Sequence, residues 1–458
     1  MRGVVAAGHP LTAEAGADAL RAGGGAVDAA LAALCAGFVC EPLLTGLGAG
    51  GYMLVCSPEG EDVLLDFFVE AAGRGREHRG RAPLVPVPVD FGDAVQVFHA
   101  GAASAGAYGT PAGICAAHAR YGRLPLREVV APAVRLAREG VEVNAPQAYL
   151  FEILDGIIGL SEEARAMFGA PSLGETTRYP QLADLLERLA AEGDAPFYRG
   201  DIAEAVGREL ARRGGVLTPR DLRAYEVVPR KPVRARYRGR EVITNPPPSA
   251  GGTLIAAALE QLEAGASVVA ALEHAQRLRT PAFLERLGST THVSVVDADG
   301  WACSVTVSNG EGSGIVVDGL HLNNMMGEED LSPHGFFTHP PGRRLPSMMS
   351  PTVVRRDGAV EACLGSAGSN RIRSAVVQVI DRVVRQGLDA QAAVDAPRLH
   401  WEDGVVYLEP GLDVQAPEVV RFSAPNLFFG GAQLVVRAPD GTLTGAGDPR
   451  RGGAAVAA

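Results

Sequence analysis

At 458 residues the chain is long enough for a large buried core, and 47% hydrophobic with 21% charged residues is the composition of a globular enzyme. The net charge of −11 has no compensating basic block, which excludes nucleic acid and anionic membrane surfaces as natural partners. No apolar run approaches the ~20 residues that a membrane helix needs. The start, MRGVVAAGHPL, has neither the apolar segment nor the cleavage site of a secretory signal, so the expectation is a cytoplasmic protein.

Residues 11–36 carry Ala, Leu and Val at helical spacing, broken by Gly23-Gly24-Gly25, which predicts two helices about a glycine turn. Next comes the run from Gly46 to Gly51. A dinucleotide-binding turn needs a strand before its glycines and a helix after them; here the order is reversed, so tight packing against a sheet is expected. Strands are predicted at 52–55 and 62–68, joined by a Ser57-Pro58-Glu59-Gly60 turn, and a Gly-, Arg- and Pro-rich loop over 73–90. Amphipathic helices are predicted at 126–139, 181–192 and 201–213, and Thr218-Pro219 opens a further short one. Further strands are predicted at 233–237, 241–244, 352–356, 360–364, 405–408 and 433–437, with a helix over 372–386. This mixture suggests two packed sheets with helices outside them. The scattered cysteines (Cys35, Cys40, Cys56, Cys115, Cys303 and Cys363) form no CxxC and read as reduced core thiols. The histidines show no metal-binding spacing, so neither a metal nor another cofactor is expected.

The chemistry concentrates between residues 288 and 324. Two β-rich runs, 290–297 and 301–308, flank Ala298-Asp299-Gly300, a three-residue loop ending in glycine that suits a hairpin. That register pairs Thr290 with Ser308, His292 with Thr306 and Ser294 with Ser304, so all six share one face. One reading is a strand pair with a wet, hydroxyl-rich side. The other makes Thr290 a nucleophile. A hydroxyl needs a base to take its proton, and a chain-terminal threonine carries one in its α-amine, with a pKa of about 7.7–8.0. Thr290 can act this way only if the chain is cut before it. His292 is expected to make a structural hydrogen bond in the hairpin.

TTHVSVVDADG from 290, GSG at 312–314, LNN at 322–324, SMMSP at 347–351 and GSAGSNR at 365–371 follow one another in that order. Upstream stand HPLTAEAGADALRAGGGAVDAALAAL at 9–34, EPLLTGLGAGGYMLV at 41–55, YGTPAG at 108–113 and PPPSAGG at 246–252, and GDPRRGG at 447–453 nearly closes the chain. This series resembles the gamma-glutamyltranspeptidase family of N-terminal nucleophile hydrolases over almost the whole length. The resemblance implies an α/β chain with a four-layer αββα sandwich, cut by itself into segments 1–289 and 290–458 that stay together as a heterodimer. It implies acyl transfer from a small-molecule amide or γ-glutamyl donor to water or an amine, with Thr290 as nucleophile oriented by Ser308 and Thr306. Only 38 steps separate Gly252 from Thr290, where the family usually carries a longer helical segment, so part of that helical cover is expected to be trimmed.

The resemblance also places the substrate groups. Gly368 and Ser369 stand where two adjacent glycines of the family supply oxyanion N–H groups, although a plain helix cap fits the same residues. Ser347 matches the first of a serine pair that binds the donor's α-carboxylate, and Met348 stands where the second is expected. Glu328 matches the acid that holds the α-amino group, and Met325 replaces an amide residue beside it. Phe68 stands where the family has a carboxylate-gripping arginine; Arg74, Arg343 and Arg344 are the candidates to restore that charge from a neighbouring loop. Two rivals stay open: an acylase of the same fold for a non-glutamyl amide, and a non-catalytic binding protein whose chain stays intact.

Overall fold

The computed structural model describes every residue except 76–79, 91–94, 279–289 and 333. Its centre is the predicted hairpin, with strands Thr291–Asp297 and Ala302–Ser308 turning at Gly300, whose φ of 90° suits a residue without a Cβ. His292 pairs with Thr306 and Ser294 with Ser304, as the period-two reading requires. The hairpin sits inside a seven-stranded sheet, in which Gly3–Ala7 flanks it on one side and Gly50–Cys56, then Asp62–Phe67, on the other.

Both faces of the hairpin are buried, each for a different reason. Val293, Val295, Cys303, Val305 and Val307 face helix Ala26–Cys40, which packs in turn against helix Pro10–Arg21. Every residue of the second helix is buried, which its alanine-rich sequence permits by letting backbones approach closely. The opposite face meets a six-stranded sheet containing Thr352–Arg356, Ala359–Ala367 and Gly431–Arg437. Here the hydroxyls work structurally. Ser294 Oγ donates to Gln433 O at 3.1 Å; Ser304 Oγ donates to Leu364 O at 3.0 Å and accepts from Thr352 N at 3.1 Å. Helices Gly251–Glu263 and Arg371–Val384 cover the far side of the second sheet, completing the αββα sandwich.

Helix Leu126–Glu139 has its predicted bounds, and Thr218 caps Pro219–Arg223. The 73–90 loop is corrected in part: Val85–Asp90 is a strand paired with Val95–Ala100. Pro86 and Pro88 are exposed while Val87 and Val89 are buried, so the prolines sit on the side of the ribbon that a strand can spare. Gly48, Gly50 and Gly51 pack as expected, since a Cβ on Gly51 would lie 2.4 Å from Thr306 O. The cysteines are free thiols, buried except for the half-buried Cys115. Among the described residues no helix is long and apolar enough to cross a membrane.

Candidate active site

The hydroxyl ladder divides along its length. Its inner rungs bolt the two sheets together, whereas Thr290 and Ser308 stand at the open end, in the wall of a small cavity. Phe68, Glu328, Ser347 and Ser369 line the same cavity, joined by Gly310, Met325, Leu331, Met348, Met349 and Ile372. Six of the eight predicted site residues are thus brought together. Thr306 and Gly368 stand one step back. Thr306 Oγ1 lies 2.7 Å from Nδ1 of His292, whose Nε2 lies 2.9 Å from Ser294 Oγ. Burial lowers the His292 pKa to about 3, so the ring is neutral and serves as a bridge within the ladder. A Cβ on Gly365 would fall 2.2 Å from the His292 ring, which explains the glycine that opens GSAGSNR.

Gly368 and Ser369 lie between strand Ala359–Ala367 and helix Arg371–Val384. Their φ values are 108° and 50°, so two consecutive residues take left-handed conformations at the cavity edge. Backbone N–H groups at a strand-to-helix turn of this kind can hold a developing oxyanion. Ser369 carries the strain of a Cβ in this region, as functional sites commonly do.

The donor side is apolar. Phe68 is buried with its ring stacked on Tyr52 at 5.5 Å. None of the candidate arginines replaces the missing charge. Arg344 contacts Phe68 O and donates to Tyr225 Oη at 2.5 Å, with Asp66 at 3.4 Å and Glu70 at 3.6 Å. Arg74 pairs with Glu70 at 3.1 Å, and Arg343 is exposed. Among the described residues the cavity wall has no basic side chain.

Sequence reasoning missed three charged residues near the cavity. Glu41, at the end of helix Ala26–Cys40, accepts from Thr291 Oγ1 at 3.0 Å. Burial raises its pKa to about 7, against the pull of the Thr291 hydroxyl and of Arg451. Arg451 lies under the Gly368-Ser369 turn, with Nη2 3.4 Å from where a Cβ of Gly368 would sit. Glu311 is buried beside Glu328. The available signal was a lone charge within a glycine- and apolar-rich run, in EPLLTG and NGEGSG, and a pair of arginines before two glycines in RRGG.

A gamma-glutamyltranspeptidase profile matches residues 12–280 and 266–458. The chain is 31% identical to the glutathione hydrolase proenzyme of Escherichia coli K12, over 98% of this chain and 90% of that protein. It is equally identical to the acylase ACY 1 proenzyme of Pseudomonas sp. V22, over 100% and 93% respectively. In structure it is similar to cephalosporin acylase from Bacillus halodurans, with a TM-score of 0.83 at 26% identity, covering 99% of this chain and 95% of that one. The chain belongs to the gamma-glutamyltranspeptidase family and is an N-terminal nucleophile enzyme that cleaves or transfers amide-linked acyl groups.

Proposed function

We propose that Thr290 is the nucleophile, freed by self-cleavage of the bond after Ser289, and that the donor's acyl group carries no α-carboxylate. Ser289 lies outside the described residues, while Thr290 is buried at the cavity wall. The α-amine released by cleavage takes the Thr290 hydroxyl proton, and Oγ attacks the amide carbon. The N–H groups of Gly368 and Ser369 hold the resulting oxyanion. The amine returns the proton to the leaving nitrogen, and water or an amine acceptor then attacks the acyl-enzyme by the same route. Ser308 Oγ, which accepts from Gly310 N at 3.0 Å, stands beside Thr290 to orient it. Thr306 acts from one step back, by holding His292.

Segments 1–289 and 290–458 interleave in one sheet, where Gly3–Ala7 pairs with both Thr291–Asp297 and Ala454–Ala457. This supports a heterodimer that survives cleavage.

The acyl preference rests on one observation, the apolar and base-free cavity beside Thr290. An unpaired carboxylate there would lose a charged hydrogen bond worth about 1.5–3 kcal/mol. The acylase names among the relatives agree with this reading. The test has two parts. Thr290→Ala is expected to remain one uncut, inactive chain, and a fully active wild type that stays uncut would sink the mechanism. Mature wild type is expected to prefer pentanoyl anilide to γ-glutamyl anilide; a preference of about a hundredfold for γ-glutamyl in kcat/KM, near 2.7 kcal/mol, would overturn the acyl assignment.

A further inference from the structure

Helix Arg371–Val384 starts directly after Gly368 and Ser369, and its first turn sets how those two residues are oriented. Gly368 O and Ser369 O accept from Arg371 N and Ile372 N at 3.0 Å each. In a trans peptide the N–H points opposite the preceding carbonyl, so holding Gly368 O towards the helix turns Ser369 N–H away from it. Whatever fixes the start of this helix therefore also aims that N–H.

Asn370, between the turn and the helix, is fully buried, and its side chain caps no N–H of the helix. It reaches sideways instead, where Nδ2 donates to Glu402 Oε1 at 2.9 Å. Glu402 Oε2 lies 2.9 Å from His400 Nε2, and His400 Nδ1 lies 2.7 Å from Ser374 Oγ. Ser374 stands one helical turn beyond Asn370, so the four side chains close a ring that begins and ends on one helix. Burial lowers the His400 pKa to about 4 against the pull of Glu402, so the imidazole is neutral and has one N–H. A carboxylate only accepts, so Nε2 donates to Glu402 and Nδ1 accepts from the Ser374 hydroxyl. A hydroxyl, an imidazole and a carboxylate in a row can activate a nucleophile, but Ser374 and His400 are buried here and the row serves to hold.

The strand that carries His400 and Glu402, Leu399–Glu402, belongs to a three-stranded sheet outside the αββα sandwich. It is fastened along the helix. Gln378 Nε2 donates to Leu399 O at 2.8 Å, Leu399 N donates to Gln378 Oε1 at 3.1 Å, and Arg373 Nη2 donates to Trp401 O at 3.1 Å. Glu402, at the end of this strand, is the residue that reaches the turn.

We propose that Glu402 is a positioning residue for acyl transfer, which acts through Asn370 to hold the Gly368-Ser369 turn in the shape that receives the oxyanion. This role rests on the oxyanion reading of that turn. Neither Asn370 nor Glu402 lines the cavity, so neither contributes to ground-state binding of the acyl group. A displaced oxyanion donor costs rate, because the charge it holds develops only in the transition state.

The test measures kcat and KM of mature wild type and variants with the better of pentanoyl and γ-glutamyl anilide. Glu402→Ala and Asn370→Ala are each expected to lower kcat about tenfold with KM within about twofold. The double variant is expected to lose no more than about twofold beyond either single change, since both cut the same link. Glu402→Gln keeps an oxygen for Asn370 and an N–H for the other tautomer of His400, and its kcat is expected to stay within about twofold of wild type. If an alanine variant fails to mature, Glu402→Asp, one methylene too short to span both partners, takes its place with the same tenfold fall expected. A ring that only stabilises the fold would lower the melting temperature and leave kcat per processed molecule unchanged. Unchanged kcat in either single variant, or an equal fall in Glu402→Gln, overturns the proposal. Gly368→Ala tests the turn itself, because a Cβ there is strained at φ 108° and meets Gly430 Cα at 3.0 Å. If Gly368→Ala lowers kcat about a hundredfold and the Asn370 and Glu402 variants do not, the role of Glu402 alone falls. If kcat is unchanged in all of them, the oxyanion reading falls with it.

Discussion

Two buried charge clusters adjoin at Arg450 and Arg451, and they are built on opposite plans. The first joins Arg398, Arg450, Asp448 and Glu409. Arg398 lies 2.6 Å from Asp448, and Arg450 reaches Asp448 at 3.1 Å and Glu409 at 2.5 Å. Backbone N–H groups of Ala432 and Arg398 donate to the two acids at 2.7 and 2.8 Å. Burial alone would raise the Asp448 pKa, yet the two arginines hold it below the usual range. The second cluster comprises Glu41, Glu311, Glu328 and Arg451. Its acids outnumber its base, and Glu41 and Glu328 are both pushed upward by burial. A buried acid held by arginines and backbone N–H groups keeps its charge, whereas one held mainly by burial and by another acid is driven towards its neutral form.

Breaking the matched cluster has the largest expected effect. Asp448→Asn leaves Arg398 and Arg450 with less negative charge in a dry site, and removing one partner of such a pair costs about 3–5 kcal/mol. Urea unfolding of the variant should show that loss at neutral pH. A change within experimental error would show that the cluster is not the closed unit described here.

The unmatched cluster has the opposite response at Glu41. Its folded pKa of about 7 lies above the ordinary 4.5, so the neutral acid favours the fold fully below about pH 4.5. That contribution is lost as pH rises through about 7. Glu41→Gln keeps an oxygen for Thr291 Oγ1 and never ionises. It should match wild type near pH 5 and exceed it near pH 8 by up to roughly 3 kcal/mol. Melting temperatures at the two pH values decide the matter, and a gain independent of pH would refute the assignment.

How far this was legible follows from the range of each interaction. The hairpin register was readable because side chains alternate strictly and Gly300 fixes the turn. The cavity residues were readable through motifs that cover nearly the whole chain. What the inner hydroxyls do was not readable, since their partners, Gln433, Leu364 and Thr352, belong to a second sheet assembled later in the sequence. Glu41 and Thr291 are likewise far apart in the chain, and nothing local reveals their contact. Strand Val85–Asp90 was hidden because its prolines masked the alternation of Val87 and Val89. Arg344 looked available from sequence, and only its buried partners show that it is committed elsewhere.

The cavity itself offers a smaller, directional change. Phe68→Arg would place a guanidinium where the apolar wall now lies, close to the Tyr52 ring. A carboxylate-bearing donor should gain up to about 1.5–3 kcal/mol of charged hydrogen bonding. The γ-glutamyl to pentanoyl ratio of kcat/KM should therefore rise by about tenfold or more, with a lower Tm because Phe68 packing is lost. An unchanged ratio in a folded, processed variant would mean that Phe68 does not face the acyl group.

The smallest expected effect lies at Ser369, in the cavity wall. Its φ of 50° places a Cβ in the left-handed region, a strain of about 1–3 kcal/mol that glycine does not bear. Glycine also loosens the unfolded chain, which returns about 0.5–1 kcal/mol in the other direction. Ser369→Gly should thus leave stability unchanged or raise it by about 1 kcal/mol, because the two terms oppose each other. The backbone N–H survives the substitution, so if oxyanion support is all that Ser369 supplies, kcat should stay within about twofold, or 0.4 kcal/mol. A fall of about tenfold in kcat with KM unchanged would place the Ser369 hydroxyl itself against the reacting group.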